Sequence, residues 1–448
     1  MYRKTILKLC AVALIISVVL SACAHPEGND YTAESQSKKT PSVTDVESQT
    51  QIPDSPVADL DIQYSQSASA IYSADGIDFV ATTNGIGIVE PGKEMRMLNN
   101  QKTAPRLMII DNVIYYTVIN DIYETTTDNV DGEPMSILFA QCECWSMNLD
   151  GTNQKKLFSY FGNGWVVYRQ DNTVFYIDDV SYDEFRSEKA NVLKLCKIDL
   201  ITGKTETITY LPDDGAGNTI WGITNTCYHT IYKDGCLIIT SRSQEVGSYI
   251  YDIEKNEVNF ASVHILEPAN DGSLYAIENV MVPAGSGSRF SHQELVKYNV
   301  KNNSVEYLNI KLSESINGEI FSHAYGDNGI IFGNEVLYTY IPESGVTKAG
   351  DAYENRVFDV WVNTDKSYSY ISSDYDDADE TTTYYLTNHV NPETSDTVEL
   401  KDINESGDLW YSEVNVGANL VIGYYSTTKD SETSPDNIFC DDYTVIYR

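Results

Sequence analysis

The chain has 448 residues, of which 66 are acidic and 30 basic, and its formal net charge at pH 7 is −36. A surface this acidic excludes nucleic-acid binding by phosphate neutralisation and disfavours adhesion to anionic lipid headgroups. The chain has eight cysteines, and a chain of this length does not need disulfides for its stability.

The N-terminus has the features of an export signal. Three basic residues precede an apolar run over residues 9–20, which is shorter than the roughly 20 residues that span a membrane. The run ends in Leu20-Ser21-Ala22-Cys23, which resembles the lipobox of bacterial lipoproteins. We expect residues 1–22 to be a signal peptide and Cys23 to carry a lipid at the extracytoplasmic face of the cell membrane. The alternative is a plain signal peptide with an unmodified cysteine. Removal of residues 1–22 takes away three positive charges and leaves a net charge of −39.

Residues 23–62 have the composition of a spacer. They contain a single aromatic residue, Tyr31, among Ser, Thr, Gln and Pro with scattered charges. Such a segment cannot bury enough apolar surface to offset the entropy of ordering it. We therefore predict a flexible linker that holds a folded domain, residues 63–448, away from the membrane.

From residue 63 onward the sequence is typical of many short strands joined by tight turns. Runs rich in Val, Ile, Tyr and Thr alternate with Asp, Asn and Gly, and no stretch has a clear helical period. A turn signal followed by a strand begins at each of eight positions: Asp75, Asp111, Asp171, Asp234, Asp271, Asp327, Asp365 and Gly417. A second pair of strands around a turn, such as Asp150-Gly151 or Thr202-Gly203, follows most of them.

These repeats predict an all-β propeller of four-stranded antiparallel blades. Their spacing is within reach of the roughly 40–50 residues of a propeller blade. We expect eight blades if every repeat forms its own, and seven if the first and last share one to close the ring; six remain possible. Packing several such sheets around an axis buries both faces of each sheet and leaves only short edges.

One hairpin carries a resemblance to a known family. Residues 145–157, WSMNLDGTNQKKL, are similar to the outer hairpin of TolB-type propellers, and Leu195–Asp199 with Thr202-Gly203-Lys204 is the next best match. The pattern also looks like the DUF5050-like propeller domain of bacterial lipoproteins. The resemblance implies a propeller with a binding or scaffolding role, and it brings no catalytic residues and no cofactor with it.

Two cysteine pairs are candidates for chemistry. Cys142 and Cys144 are two residues apart, so that on a strand they face the same side and are able to chelate a soft metal. Neither C-x₂-C nor H-x₃-H occurs nearby, and we favour small buried side chains instead. Cys227 and Cys236 flank an eight-residue segment and are either a disulfide or two buried thiols.

Acidic and aromatic residues supply further candidates. Clustered carboxylates suit Ca²⁺, and the weak candidates for such a site are Asp374, Asp376, Asp377 and Asp379. The EF-hand spacing is absent, and a solvated loop is the favoured interpretation. Aromatic rings at a propeller mouth stack on sugars or grip a peptide, and the candidates for this role are Trp145, Trp221 and Trp361. Packing between blades is the favoured alternative for these rings.

The motifs favour binding over catalysis. The sequence has neither a G-x-S-x-G elbow nor an H-E-x-x-H motif. We expect a monomeric, membrane-anchored binding or scaffolding module for a protein, peptide or glycan of the cell envelope. One alternative is an exported glycan lyase or hydrolase with its active site on the insertions at 120–142, 181–191 and 280–292, since the fold itself does not decide. A second alternative is a scaffold for envelope assembly.

Overall fold

Eight small antiparallel sheets make up almost all of the described part of the chain. The structure is a computed structural model, and it describes residues 57–65, 69–128, 134–160, 164–179, 191–212, 228–241, 247–284, 287–316, 320–326, 328–334, 336–350, 357–363, 365–376, 381–391, 394–404, 411–425 and 442–448. Seven sheets have four strands and one has three, each built from strands that are consecutive in the sequence. The predicted propeller of four-stranded blades is therefore confirmed, with eight blades.

Blades 1 to 4 occupy the first half of the chain, and the strands of each sheet are hydrogen-bonded in sequence order. Blade 1 consists of β1 Ile71–Ala74, β2 Ile77–Thr82, β3 Gly85–Val89 and β4 Arg96–Met97. Blade 2 consists of β5 Thr103–Ile110, β6 Val113–Asp128, β7 Pro134–Asn148 and β8 Lys155–Tyr160. Blade 3 consists of β9 Trp165–Gln170, β10 Thr173–Asp179, β11 Asn191–Asp199 and β12 Thr205–Pro212. Blade 4 consists of β13 Tyr228–Lys233, β14 Cys236–Ser241, β15 Ser248–Asp252 and β16 Glu257–Ala261.

Blades 5 to 8 complete the ring. Blade 5 consists of β17 His264–Pro268, β18 Leu274–Ala284, β19 Gly287–Asn299 and β20 Ser304–Lys311. Blade 6 consists of β21 Phe321–Tyr325, β22 Gly329–Gly333, β23 Leu337–Ile341 and β24 Gly345–Gly350. Blade 7 consists of β25 Val357–Val362, β26 Tyr368–Asp376, β27 Thr381–Asn391 and β28 Thr394–Glu399, and is followed by the short helix α1 Lys401–Asn404. Blade 8 consists of β29 Tyr411–Val416, β30 Leu420–Tyr425 and β31 Asp442–Tyr447.

The recurrent Asp-Gly and Asp-Asn pairs form the turns between the first and second strands of the blades. Asp75, Asp111 and Asp234 have φ angles of 47°, 50° and 51°, and the residues after them also have positive φ. A two-residue hairpin turn of this kind requires φ > 0 at both central positions, which Asp, Asn and Gly tolerate best. The local sequence thus fixes where each blade begins.

The core is divided into eight apolar clusters, one at each interface between successive blades. The cluster that closes the ring joins Val80 and Val89 of blade 1 to Leu420 and Ile422 of blade 8. The hydroxyl of Tyr424 also donates a hydrogen bond of 2.6 Å to the carbonyl of Ala81. The first and last repeats therefore form separate blades and do not share one.

The strand order places corresponding turns of all blades at the same end of the ring. Because strands alternate in direction and the last strand of one blade leads into the first of the next, every turn between second and third strands lies at one end. Among the described residues, the strands of this class that pair over the greatest length are β6–β7, β18–β19 and β26–β27. The predicted insertions at 120–142, 181–191 and 280–292 belong to this class, although residues 129–133, 180–190 and 285–286 lie outside the described part of the chain.

The packed part of the chain begins before residue 63. Val57, Leu60 and Ile62 are buried in the cluster between blades 1 and 2, although their composition places them in the predicted linker. The following residues pair with β5, as shown by the bridges from Tyr64 to Ile110 and from Ser69 to Leu107. No helix among the described residues is long and apolar enough to cross a membrane.

Candidate functional site

A groove lies between blades 7 and 8. Its volume is about 830 Å³. It lies where blade 8 differs from the other blades, because no fourth strand is present beyond β31 among the described residues. The fourth strand of blade 7, β28, consequently faces the groove, and its Val398 side chain is 48% exposed.

The apolar wall of the groove comes from the face of blade 7 that is turned toward blade 8. Leu386 of β27 and Val398 of β28 are cross-strand partners on this wall. Ile446 of β31 forms the opposite side and packs on the buried cluster between the two blades. A bound molecule that covers these side chains is stabilised by the removal of their apolar surface from water.

A planar polar network lies at one end of the wall. Arg448 donates hydrogen bonds to the Gly417 carbonyl at 2.5 Å, the Ser369 hydroxyl at 2.6 Å and the Asn388 side-chain oxygen at 3.0 Å. Its guanidinium carbon is 4.9 Å from the centroid of the Trp361 ring, a cation–π geometry. The network ties blade 8 to blade 7 at the groove floor.

His389 adds a polar atom that lacks a partner within the described structure. Its ring stacks on Tyr368 with centroids 4.6 Å apart and an interplanar angle of 12°. Nε2 is buried and has no hydrogen-bond partner among the described residues. Burial lowers the pKa of His389, so that the imidazole is neutral at pH 7. A buried polar atom of this kind is costly unless water or a ligand satisfies it.

The rim of the groove carries mostly negative charge. Asp396 lies opposite Asn388 in the β27–β28 pair, and Asp402 belongs to α1. Both are exposed and line the groove, as does Lys401. The guanidinium of Arg448 is engaged in the network described above. Cationic groups of a ligand are therefore favoured near Asp396 and Asp402.

Cys142 and Cys144 lie in the closed core between blades 2 and 3. Both side chains are fully buried, and they face the same cluster as Phe158, Tyr160 and Cys196. Burial raises the pKa of the Cys144 thiol to about 12, which keeps it protonated and a poor metal ligand. No group of three or more His, Cys, Asp or Glu side chains within the described residues is placed to hold a metal ion.

The other predicted cysteine pair is described only in part. Cys236 is buried at the start of β14, where it lies opposite Lys233. Burial raises the pKa of its thiol, and the carboxylate of Asp252 contributes to the shift. Cys227 lies outside the described residues, as does Cys23, so that the disulfide and the lipidation site stay predictions.

The acidic candidates for a calcium site are split between a strand and a segment outside the described residues. Asp374 and Asp376 belong to β26, where they pair with Thr383 and Thr381. Asp374 is exposed. Asp377 and Asp379 lie outside the described residues, and the metal site stays a prediction.

Only one of the predicted ligand-face tryptophans lines the groove. Trp361 belongs to β25 and is half-buried beneath Arg448. Trp145 packs between blades 1 and 2, and its indole nitrogen donates a hydrogen bond of 2.9 Å to Glu143. Trp221 lies outside the described residues.

A buried carboxyl group joins the inner strands of three blades. Glu267 of β17 accepts a hydrogen bond of 3.3 Å from the Ser322 hydroxyl in blade 6, and the same oxygen is 3.9 Å from Nε2 of His229 in blade 4. Burial raises the pKa of Glu267 to about 8, against the lowering effect of the Ser322 hydrogen bond. In a hydrolase triad the histidine lies between the carboxylate and the nucleophile, whereas here one oxygen of Glu267 is near both the histidine and the serine.

Sequence reasoning missed most of the groove residues. Asn388, His389 and Asp396 come from two strands and Arg448 follows a third, and no local motif connects them. Residues 426–448 contain one strand-like segment, DYTVIY, which is the available signal in this region. It does not say which side chains face the groove.

Comparisons with known proteins add no functional assignment. No protein-family model matches the chain, and no curated protein matches it either.

Among solved structures, the chain is similar to other propellers at low identity. The β-propeller domain of the Trilobed protease from Pyrococcus furiosus has 12% identity, 71% coverage of this chain, 87% coverage of that domain and a TM-score of 0.37. TolB from Acinetobacter baumannii has 13% identity, with 59% and 60% coverage and a TM-score of 0.29. The xyloglucanase from Xanthomonas campestris has 9% identity, with 85% and 69% coverage and a TM-score of 0.37. At these TM-scores the matches carry no argument, and the propeller fold stands on the strand pairing described above.

Proposed function

We propose that this chain is an extracytoplasmic lipoprotein whose propeller is a non-catalytic binding module for a protein, peptide or glycan. Cys23 carries the lipid anchor, and the linker holds the propeller away from the membrane. The groove between blades 7 and 8 is the ligand site. The observation that carries this proposal is the groove itself, where apolar, aromatic and planar polar groups converge. Such a combination is typical of binding pockets.

Ligand binding is tested with the chain from residue 24 onward and two matched variants. Soluble peptidoglycan fragments, other envelope glycans and a random peptide library are screened for binding. Val398→Arg places a long charged side chain in the groove, and Val258→Arg places one on the outer strand of blade 4, where Val258 is likewise exposed. We expect Val398→Arg to weaken binding at least about tenfold and Val258→Arg to leave it unchanged. Binding that ignores Val398→Arg, or turnover of the bound molecule, contradicts the proposal.

The anchor has a separate test. In a bacterial host, wild-type protein is expected in the membrane fraction with an incorporated labelled fatty acid. Cys23→Ser is expected to release it from that fraction without the label, because the chain has no other proposed means of attachment. Membrane retention of Cys23→Ser that survives high salt would contradict lipid anchoring.

An exported glycan lyase or hydrolase is the second candidate, and one observation favours it. The three long hairpins β6–β7, β18–β19 and β26–β27 share one end of the ring, as loops around an active site would. Release of reducing ends or unsaturated sugars from an envelope polymer by the pure protein would establish this function. Absence of product over a broad polymer panel, together with groove-dependent binding, would favour the binding module.

A further inference from the structure

The edge of β31 is a row of backbone groups without a strand partner among the described residues. The amide of Arg448 donates to the Asn419 carbonyl at 2.7 Å, which makes this a hydrogen-bonded pair. Pairing of β31 with β30 continues without a bulge from Tyr447 to Asp442. Because hydrogen-bonded and non-bonded pairs alternate, the N–H and C=O groups of Tyr443, Val445 and Tyr447 point away from β30. Of these three residues, Tyr447 lines the groove.

This edge differs from the outer edges of the other blades. Each of those belongs to a fourth strand at the circumference, where an added strand would project into solvent. The edge of β31 is one strand further in, beside the wall formed by Leu386 and Val398. A strand added here lies about 4.8 Å from β31 and covers that wall, so that it gains both hydrogen bonds and apolar burial.

The sequence of β31 does nothing to block such pairing. The strand reads DYTVIY and contains no Lys, no Pro and no bulge, which are the devices that protect exposed edges. Its β-branched and aromatic residues favour extended structure. An unprotected edge whose end borders a groove favours extended polypeptide over a sugar, because a sugar has no backbone amides with which to pair.

The charges in the groove favour basic polypeptides. Asp396, Glu399 and Asp402 are exposed at its rim with a single exposed lysine, Lys401. Arg448 is already bound to Ser369 and Asn388. The whole chain carries a net charge of −36, so that a basic segment is attracted at long range as well.

We propose that the groove binds an extended, Lys- or Arg-containing segment of a partner protein as the fourth strand of blade 8. The segment pairs with Tyr443, Val445 and Tyr447 and places a basic side chain beside Asp396. This inference rests on the proposed binding function and specifies the ligand of the same groove.

The test begins with selection of random peptides of about ten residues on the chain from residue 24, a length sufficient to span one strand. Enriched peptides are synthesised, and their dissociation constants are measured for wild type, Val445→Pro and Val445→Ala. Val445→Pro removes one outward N–H at an edge position where proline is tolerated, and Val445→Ala keeps it. We expect Val445→Pro to weaken binding at least about tenfold and Val445→Ala to change it less than about threefold. Thermal unfolding verifies that both variants are folded.

The peptide backbone supplies an independent test that needs no protein variant. N–H groups of a strand at an edge alternate between the partner and solvent. N-methylation of one peptide residue at a time is therefore expected to weaken binding at every second position and to leave it unchanged at the positions between. Asp396→Asn is expected to weaken peptides that contain Lys or Arg severalfold and to leave their uncharged analogues unchanged.

Each outcome separates this inference from the function on which it rests. Groove-dependent binding of a glycan but of no peptide overturns strand addition and keeps the binding module. Peptide binding that is unchanged in Val445→Pro likewise overturns strand addition and keeps the binding module. If no ligand binds, both proposals fail.

Occupation of the edge by the protein itself would also overturn the inference. Hydrogen exchange of the ligand-free protein is expected to show unprotected amides at Val445 and Tyr443, which become protected when peptide binds. If these amides are already protected before peptide is added, the edge is occupied. Loss of that protection on deletion of residues 24–56 would identify the protein's own linker as the occupant, and its loss on dilution would identify a second copy.

Discussion

The interface between blades 2 and 3 and the interface between blades 7 and 8 are built alike, except for one strand. Phe158 and Val398 both lie on the fourth strand of their blade and face the next blade. Phe158 is 7% exposed beside the four described strands of blade 3, whereas Val398 is 48% exposed beside blade 8, which has three strands among the described residues. The same position in the repeat is therefore core at one interface and binding surface at the other.

This contrast explains the opposite outcomes of two features singled out in the sequence. Cys142 and Cys144 form the more conspicuous motif, yet they lie under a complete pair of blades and have no exposed surface. Trp361 belongs to no motif, yet it lies beside the incomplete blade and lines a groove. Access to solvent depends on the neighbouring blade and not on the residue type.

Thiol reactivity gives the largest expected difference between the two interfaces. Asp396→Cys places a thiol in the groove, and its reaction with a disulfide reagent at about pH 8 is compared with that of Cys144. The pKa of about 12 for Cys144 leaves it almost entirely protonated, and it is also buried. We expect Cys144 to react at least about 1,000-fold more slowly than the groove thiol.

The measurement uses a background in which Cys227 and Cys440, which lie outside the described residues, are replaced by Ser. Mass spectrometry of the labelled protein identifies the cysteine that has reacted. Comparable rates at Cys144 and position 396 would mean that the interface between blades 2 and 3 opens as readily as the groove.

Truncation of the two equivalent side chains gives the next largest effect. Phe158→Ala removes a buried ring that contacts Tyr160 and Tyr176 at centroid distances of 5.1 and 4.8 Å. We expect it to lower the free energy of unfolding by about 3–5 kcal/mol, as for other buried aromatic residues. Val398→Ala is expected to change it by less than about 0.5 kcal/mol. Urea denaturation of both variants tests the pair, and equal losses would show that the groove is filled in solution.

Glu267 is buried among the inner strands, away from the groove. The pH dependence of its contribution to stability therefore tests the packed interior of the ring. Its pKa in the folded state, about 8, exceeds the ordinary value of 4.5 because of burial. The folded state therefore binds the proton more tightly, and this contribution to stability is complete below about pH 4.5 and decreases as the pH rises toward 8. We expect wild type to lose stability between about pH 6.5 and 8, on the order of one to two kcal/mol.

Glu267→Gln keeps the shape of the side chain and removes the titration. We expect the unfolding free energy of this variant to lose that pH dependence. The window above pH 6.5 avoids His264, whose pKa burial lowers to about 3 and whose effect on stability appears at lower pH. Parallel pH profiles of wild type and Glu267→Gln would contradict the raised pKa.

The sequence predicted the repeating part of the structure because that part depends on local chemistry. Pairs such as Asp75-Gly76 and Asp234-Gly235 adopt the backbone conformation that a tight turn requires. The i and i+2 relation of Cys142 and Cys144 also predicted that they share one face, as they do.

The groove was not predictable in the same way. Arg448 reaches Asn388, 60 positions earlier, because two blades are neighbours in the ring. The exposure of Val398 depends on a strand that is absent from the neighbouring blade among the described residues. Neither fact has a local signature, because tertiary packing and not propensity decides what covers a sheet face.

The cation that joins blades 7 and 8 is expected to make a modest contribution to stability. Arg448→Lys keeps the charge but removes the planar group that donates to Gly417 and Ser369 and lies over Trp361. Lysine does not reproduce such forked and stacked contacts. We expect a loss of about 1–2 kcal/mol in the free energy of unfolding. A double-mutant cycle with Ser369→Ala, measured by urea denaturation, is expected to give a coupling of at least about 0.5 kcal/mol, because the two side chains share one network. Additive effects would mean that the hydrogen bond between them does not contribute to joining the blades, and the groove floor would then be held by the apolar contacts of Ile446 and Leu386 alone.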